Sequence, residues 1–100
     1  MNAKQIISEL NARGAEFVIN TNIMYGKGIN GVGFYSYSQH EEFNSGTNVY
    51  RTFEPDDDCL VVTEKYEPGA PKYAPEQKPY TRKRYIGYDK ITYITEIVED

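Results

Sequence analysis

The densest chemical signal in the chain is Tyr25-Gly26-Lys27-Gly28-Ile29-Asn30-Gly31-Val32-Gly33-Phe34, where three glycines stand at the G-x-G-x-x-G spacing. Glycines so spaced let a backbone approach a phosphate closely, and each use of the motif demands its own surroundings. A dinucleotide site needs a helix directly after the glycines, whose N-terminus meets the pyrophosphate. Here the following residues, Val32 to Ser38, alternate like a strand instead. A kinase phosphate loop does lie between two strands, but it works with a strand lysine, an H-R-D catalytic loop and a D-F-G metal motif. That set is missing from these 100 residues, as is G-x-x-x-x-G-K-[ST]. The stretch therefore reads as a hairpin tip of residues that tolerate positive φ, carrying Lys27 and flanked by Tyr25 as a contact loop.

Other reactive residues are sparse. His40, the single histidine, precedes Glu41 and Glu42 in a polar segment. A zinc site gathers more His or Cys ligands than this chain owns, so no metal or cofactor is expected. Cys59 with His40 would supply a nucleophile and a base but no third orienting group. A cysteine that simply packs at a strand start is the plainer reading. Glu54, Asp56, Asp57 and Asp58 surround Pro55 without the following Gly and Glu of a calcium loop. They read as a solvated acidic turn that also offers negative charge to a basic partner surface, including one that normally holds nucleic acid. In Tyr80-Thr81-Arg82-Lys83-Arg84-Tyr85 three cations are interleaved with aromatics, the combination that serves single-stranded nucleic acid. On a strand, Arg82 and Arg84 point one way and Lys83 the other. The plain alternative is an edge strand guarded by charge.

The elements that must position these residues follow from periodicity. Ala3, Ile6, Ile7 and Leu10 form a helical stripe, with Asn2 as N-cap, Gln5 as capping-box partner and Gly14 at the end. From Phe17 the period is two: Phe17, Ile19, Thr21, Ile23 and Tyr25 share one side of a strand. Gln39 to Thr47 is polar and turn-rich. A third strand runs near Val49 and Phe53, and Cys59 to Tyr66 is the most buried-looking strand of all. Four of the five prolines fall between Glu67 and Pro79, so that segment is a long loop or arm rather than an internal strand. The final residues read as a terminal hairpin turning near Gly87 to Lys90, with Ile91, Tyr93 and Ile97 on one face. The expectation is a single α+β domain over residues 1–100, an N-terminal helix packed on a curved, mostly antiparallel sheet of about five to six short strands.

Composition narrows the function. The net charge of −4 argues against coating duplex DNA by bulk electrostatics. One cysteine makes no internal disulfide, and the first residues show neither a signal peptide nor a membrane span, so a cytoplasmic location is expected. Ten tyrosines and no tryptophan suit half-buried strands and contact surfaces alike. The resulting expectation is a small acidic non-enzymatic protein that binds another protein, a host macromolecular complex, through Tyr25, Lys27, Tyr35, Tyr37, Asp56, Asp57 and Asp58. Small acidic domains without a catalytic constellation are associated with phages and mobile elements, where they block a host enzyme or defence complex in an anti-CRISPR-like or anti-restriction-like role. The alternative is a single-stranded nucleic-acid binder using Tyr80, Arg82, Lys83, Arg84 and Tyr85.

Overall fold

The computed structural model describes residues 1–26, 33–69 and 78–100. Lys27 and most of the proline arm therefore lie outside the described residues. Helix α1 (Ala3–Ala12) begins as its sequence demands. The Asn2 side chain accepts from the Gln5 N–H while the Gln5 side chain accepts from the Asn2 N–H, each at 2.9 Å, which satisfies two otherwise orphaned donors. Gly14, at φ +65°, lets the chain leave the helix in the left-handed conformation.

Seven strands follow: β1 (Glu16–Tyr25), β2 (Gly33–Ser38), β3 (His40–Glu42), β4 (Asn48–Pro55), β5 (Cys59–Glu67), β6 (Tyr80–Gly87) and β7 (Ile91–Ile97). They form two antiparallel sheets, ordered β2-β1-β7 and β3-β4-β5-β6. Tyr25 stands opposite Gly33, so β1 and β2 make a hairpin and the strand that follows the glycine motif replaces the helix a dinucleotide site would need.

Gln39 is one of the places where the chain passes between the two sheets. The chain leaves β2 at Ser38 and enters β3 at His40, so Gln39 sits where a single bent strand changes partners. Its backbone carbonyl accepts from the Arg51 N–H of β4 at 2.7 Å. Its side-chain amide bridges back to the start of β1, accepting from the Phe17 N–H and donating to the Ala15 carbonyl, both at 3.0 Å. The corner is thus held from both sheets.

Between the sheets lies one apolar cluster that draws on every layer: Ile7 and Leu10 of α1, Phe17 and Ile19 of β1, Phe53 of β4, Leu60 and Val62 of β5, and Ile86 of β6. The helix stripe read from sequence is the face that is buried, and Asn11 ties it to β4 by donating to the Phe53 carbonyl at 2.7 Å. Lys4 with Asp57 and Arg13 with Glu96 clasp the helix at its two ends.

Three expectations need correction. The polar segment after Gln39 holds the short strand β3, because its backbone pairs with β4 whatever its side chains prefer. The terminal hairpin does not exist: a 3₁₀ turn, Tyr88–Lys90, carries the chain from the edge of one sheet to the edge of the other. Ile91 and Ile94, not Ile91 and Tyr93, pack against the core. Asn20 pairs with Tyr93 and Thr21 with Ile91, so Thr92 is an extra residue that shifts the alternation by one.

Replacing Gln39 by Ala should leave the Phe17 N–H and Ala15 carbonyl unpaired at a partly buried corner. A loss of about 1 to 3 kcal/mol in urea unfolding is expected. A variant as stable as the parent would show that the corner does not depend on this amide.

Candidate functional site

The face of the second sheet that looks toward the first is apolar at one end and charged at the other. Antiparallel pairing aligns its residues in rows: Phe53 with Val62 and Arg84, then Arg51 with Glu64 and Arg82, then Val49 with Tyr66 and Tyr80. Alternation on β4 and β5 thus sets one arginine and one glutamate into slots that otherwise hold Val49, Phe53, Leu60 and Val62.

Glu64 is fully buried, at 0 % exposure. An isolated carboxylate there would lose several kcal/mol of hydration, so it must be surrounded by donors. It is. Its Oε2 accepts from Arg51 Nε at 2.7 Å, and its Oε1 accepts from Arg82 Nε at 2.8 Å and Arg84 Nε at 2.7 Å. Burial pushes the Glu64 carboxyl up, but the three guanidinium hydrogen bonds outweigh it and hold the group below its ordinary value of 4.5. Arg51, itself buried, spends its Nη1 on the Ser38 carbonyl at 3.2 Å and Glu41 Oε1 at 3.0 Å. Arg82 donates its Nη2 to the Tyr66 hydroxyl.

Tyrosine rings seat the guanidinium groups. Arg82 Cζ lies 4.7 Å from the Tyr66 ring centre, and Arg84 Cζ lies 5.9 Å from Tyr35 and 5.6 Å from Tyr37. Tyr66 stacks on Tyr80 with centroids 4.6 Å apart, and Tyr35 lies parallel to Tyr37 and against Tyr25. The Tyr25 ring lies over Gly33, where an added Cβ would sit 2.5 Å from the ring, so glycine makes room for it. Between these rings and the arginines opens a cleft of about 350 Å³, which Phe34 and Phe43 also line.

The structure therefore joins residues that sequence assigned to separate sites. Tyr25 and Tyr35 meet Arg82 and Arg84 across one cleft, with Tyr80 stacked at its side. Tyr37 is only 4 % exposed, so it supports the cleft rather than presenting a contact surface. Lys83 and Tyr85 alternate with the arginines and point to the opposite face of β6. Asp56, Asp57 and Asp58 form the turn before β5, and Asp58 is eight residues along the chain from Tyr66, or roughly 26 Å at the usual rise. There Asp57 holds Lys4 and the Asp56 carbonyl accepts from the Tyr88 hydroxyl, so this turn anchors the helix end of the fold. Cys59 begins β5 beside that turn, while His40 pairs with Tyr50 and stacks on it near the other end, which separates the two reactive side chains. No group of three or more His, Cys, Asp or Glu suited to a metal occurs among the described residues.

Glu64 and Arg51 were the residues missed from sequence. Their signal was present: each charge interrupts a run of core-facing positions, and opposite charges occupy such slots on consecutive strands. Comparison of the chain with protein-family models, curated proteins and solved structures finds no match.

Glu64→Gln should be strongly destabilising, since it keeps the volume but leaves three cations facing one another. A loss of about 3 to 5 kcal/mol is expected, a large share of the roughly 5 to 15 kcal/mol that holds a domain together. Because the folded carboxyl titrates lower than the unfolded one, its stabilisation is complete above 4.5 and fades as pH falls through the depressed value. Asp57 and Glu96 are also depressed, by Lys4 and Arg13, so the quantity to follow is the parent-minus-variant difference in urea. It should be large at neutral pH and shrink in acid; a difference that is small or independent of pH would contradict this role for Glu64.

Proposed function

We propose that this chain is a non-enzymatic binding protein that takes hold of another protein through the tyrosine and arginine cleft. The observation that carries the reading is convergence: the exposed rings of Tyr25 and Tyr35 and the partly exposed heads of Arg82 and Arg84 surround one cleft, with Tyr80 stacked on Tyr66 beside it and Glu64 fixing the arginines from beneath. Tyrosine and arginine are the side chains that most often dominate binding energy at protein interfaces. Held in place before binding, they lose little conformational entropy when a partner arrives. The proposed target is a host macromolecular complex, blocked in the manner of a phage or mobile-element inhibitor. The support for that step is the association of small acidic non-catalytic domains with such roles, together with an acidic total charge that suits a basic target surface. The proposed location is the cytoplasm, and no described helix is long and apolar enough to cross a membrane.

Single-stranded nucleic acid is the second reading, favoured by the Tyr66–Tyr80 stack beside Arg82. Two observations weigh against it. Lys83 faces away, and among the described residues three guanidinium charges set against Glu64 and Glu41 leave one net positive charge at the cleft.

Photo-crosslinking separates the cleft from the rest of the surface. A benzophenone amino acid at Tyr35 or Tyr80 should capture one partner protein from a lysate of the native cell, while the same group at Tyr50, on the reverse face of β4, should not. With that partner purified, Tyr35→Ala should weaken binding by about 2 kcal/mol, roughly thirtyfold. Capture from Tyr50 alone, or an unchanged affinity for Tyr35→Ala, would remove the cleft from the interface.

A further inference from the structure

The hydrogen-bond inventory of the cleft goes further than its shape. All three arginines turn their Nε toward Glu64, so whatever donors remain are on the Nη edges. Arg51 has committed its Nη1 to Ser38 and Glu41, and its side chain is only 5 % exposed. Arg82 has committed its Nη2 to Tyr66. Arg84 also lies within hydrogen-bonding reach of the Tyr66 hydroxyl, while among the described residues no acceptor meets Nη1 of Arg82, and the Arg82 and Arg84 side chains are 45 % and 32 % exposed. The outward donors are therefore concentrated on two neighbouring guanidinium groups at the mouth of the cleft.

We infer that this pair receives one carboxylate, an Asp or Glu side chain borne on an otherwise apolar or aromatic segment of the partner protein. The inference rests on the protein-binding reading above and names the chemistry of the segment bound. Charge decides between the anions. The single net positive charge that the described residues leave at the cleft is matched by one carboxylate, whereas a phosphoryl group carries about −1.5 to −2 at neutral pH and a nucleic-acid strand repeats its charge beyond the cleft. The surroundings agree. Tyr25, Phe34, Tyr35 and Phe43 wall the cleft, so the residues flanking the carboxylate meet rings. A partner segment laid against those rings displaces water, which strengthens the charge-assisted hydrogen bonds at the centre. The same arrangement gives specificity. Arg82 and Arg84 together present planar N–H edges suited to the two oxygens of one carboxylate, and a neutral amide would set its own N–H donors against one of them.

The test uses the full chain, labelled with nitrogen-15, and four synthetic probes. These are the blocked peptide Gly-Phe-Glu-Leu-Gly, its glutamine twin, its phosphoserine twin, and a ten-nucleotide thymidine strand. The readout is the Nε–Hε signals of Arg82 and Arg84 and the backbone amide of Tyr35. The glutamate peptide should move these signals and bind roughly tenfold to a hundredfold more tightly than the glutamine twin, the worth of a charged hydrogen-bonded contact. Equal binding of those two at the cleft would overturn the carboxylate inference and leave the cleft as an interface. A tighter phosphoserine peptide, or a thymidine strand whose affinity falls steeply with salt, would overturn it in favour of that anion. Failure of every probe to move the cleft signals would overturn it as well, and the interface reading would then stand or fall on the crosslinking.

Discussion

A carboxylate sealed from water at the middle of β5 constrains much of this fold. Glu64 cannot be charged there without donors, and it is held ionised by three arginines from two neighbouring strands. That requirement fixes the register of β4, β5 and β6, since Arg51, Glu64 and Arg82 must fall in one row and Arg84 in the next. A slip of one residue would turn the arginines outward and strand the carboxylate. Buried ion pairs of this kind add little net stability over an apolar filling, but they make alternative arrangements costly. In this fold the alternative registers of an otherwise permissive edge strand are the ones excluded.

The two ends of the space between the sheets are consequently different. At one end α1 lies over Phe53, Leu60 and Ile86 and fills it with side chains, clasped by Lys4 with Asp57 and by Arg13 with Glu96. At the other end no described helix intervenes, and the interior-facing positions are taken by tyrosines and arginines that tolerate a wet boundary. The bent strand cornered at Gln39 supplies both walls: β2 gives Tyr35 and Tyr37 to the cleft, and β3 gives Glu41, which engages Arg51. Cleft and core are thus consecutive stretches of the same strands. The core ends where Phe53 and Val62 give way to Arg51 and Glu64.

Local features of the fold were legible in the sequence. The capping box at Asn2 and Gln5, the left-handed Gly14 and the stripe of Ile7 and Leu10 depend on neighbours a few residues away, and each is present. So are the buried sides of β1 and β5 and the antiparallel pairing that follows from short connections. What pattern could not give was long-range partnership. The residues of β6 and β7 look like a hairpin because each is extended and the turn between them is short, yet the 3₁₀ turn sends them to different sheets. The added residue at Thr92 reverses the alternation that periodicity assumes. The cleft was half visible. Tyr25, Tyr35, Arg82 and Arg84 stood out by type, but their convergence depends on Glu64, which looked like an ordinary polar end to an apolar strand. Asp56, Asp57 and Asp58 are exposed as their run of charge suggests, but that run could not show that Asp57 reaches Lys4 on the helix.

Carbon-13 NMR of the Glu64 side-chain carboxyl across an acid titration would show whether three arginines hold it ionised. If three guanidinium groups hold this carboxylate in a dry site, its signal should remain at the ionised position well below pH 4.5. The Nε protons of Arg51, Arg82 and Arg84 should then shift together when it finally takes up a proton. Titration of Glu64 at or above 4.5, with the three arginine signals unmoved, would contradict the account.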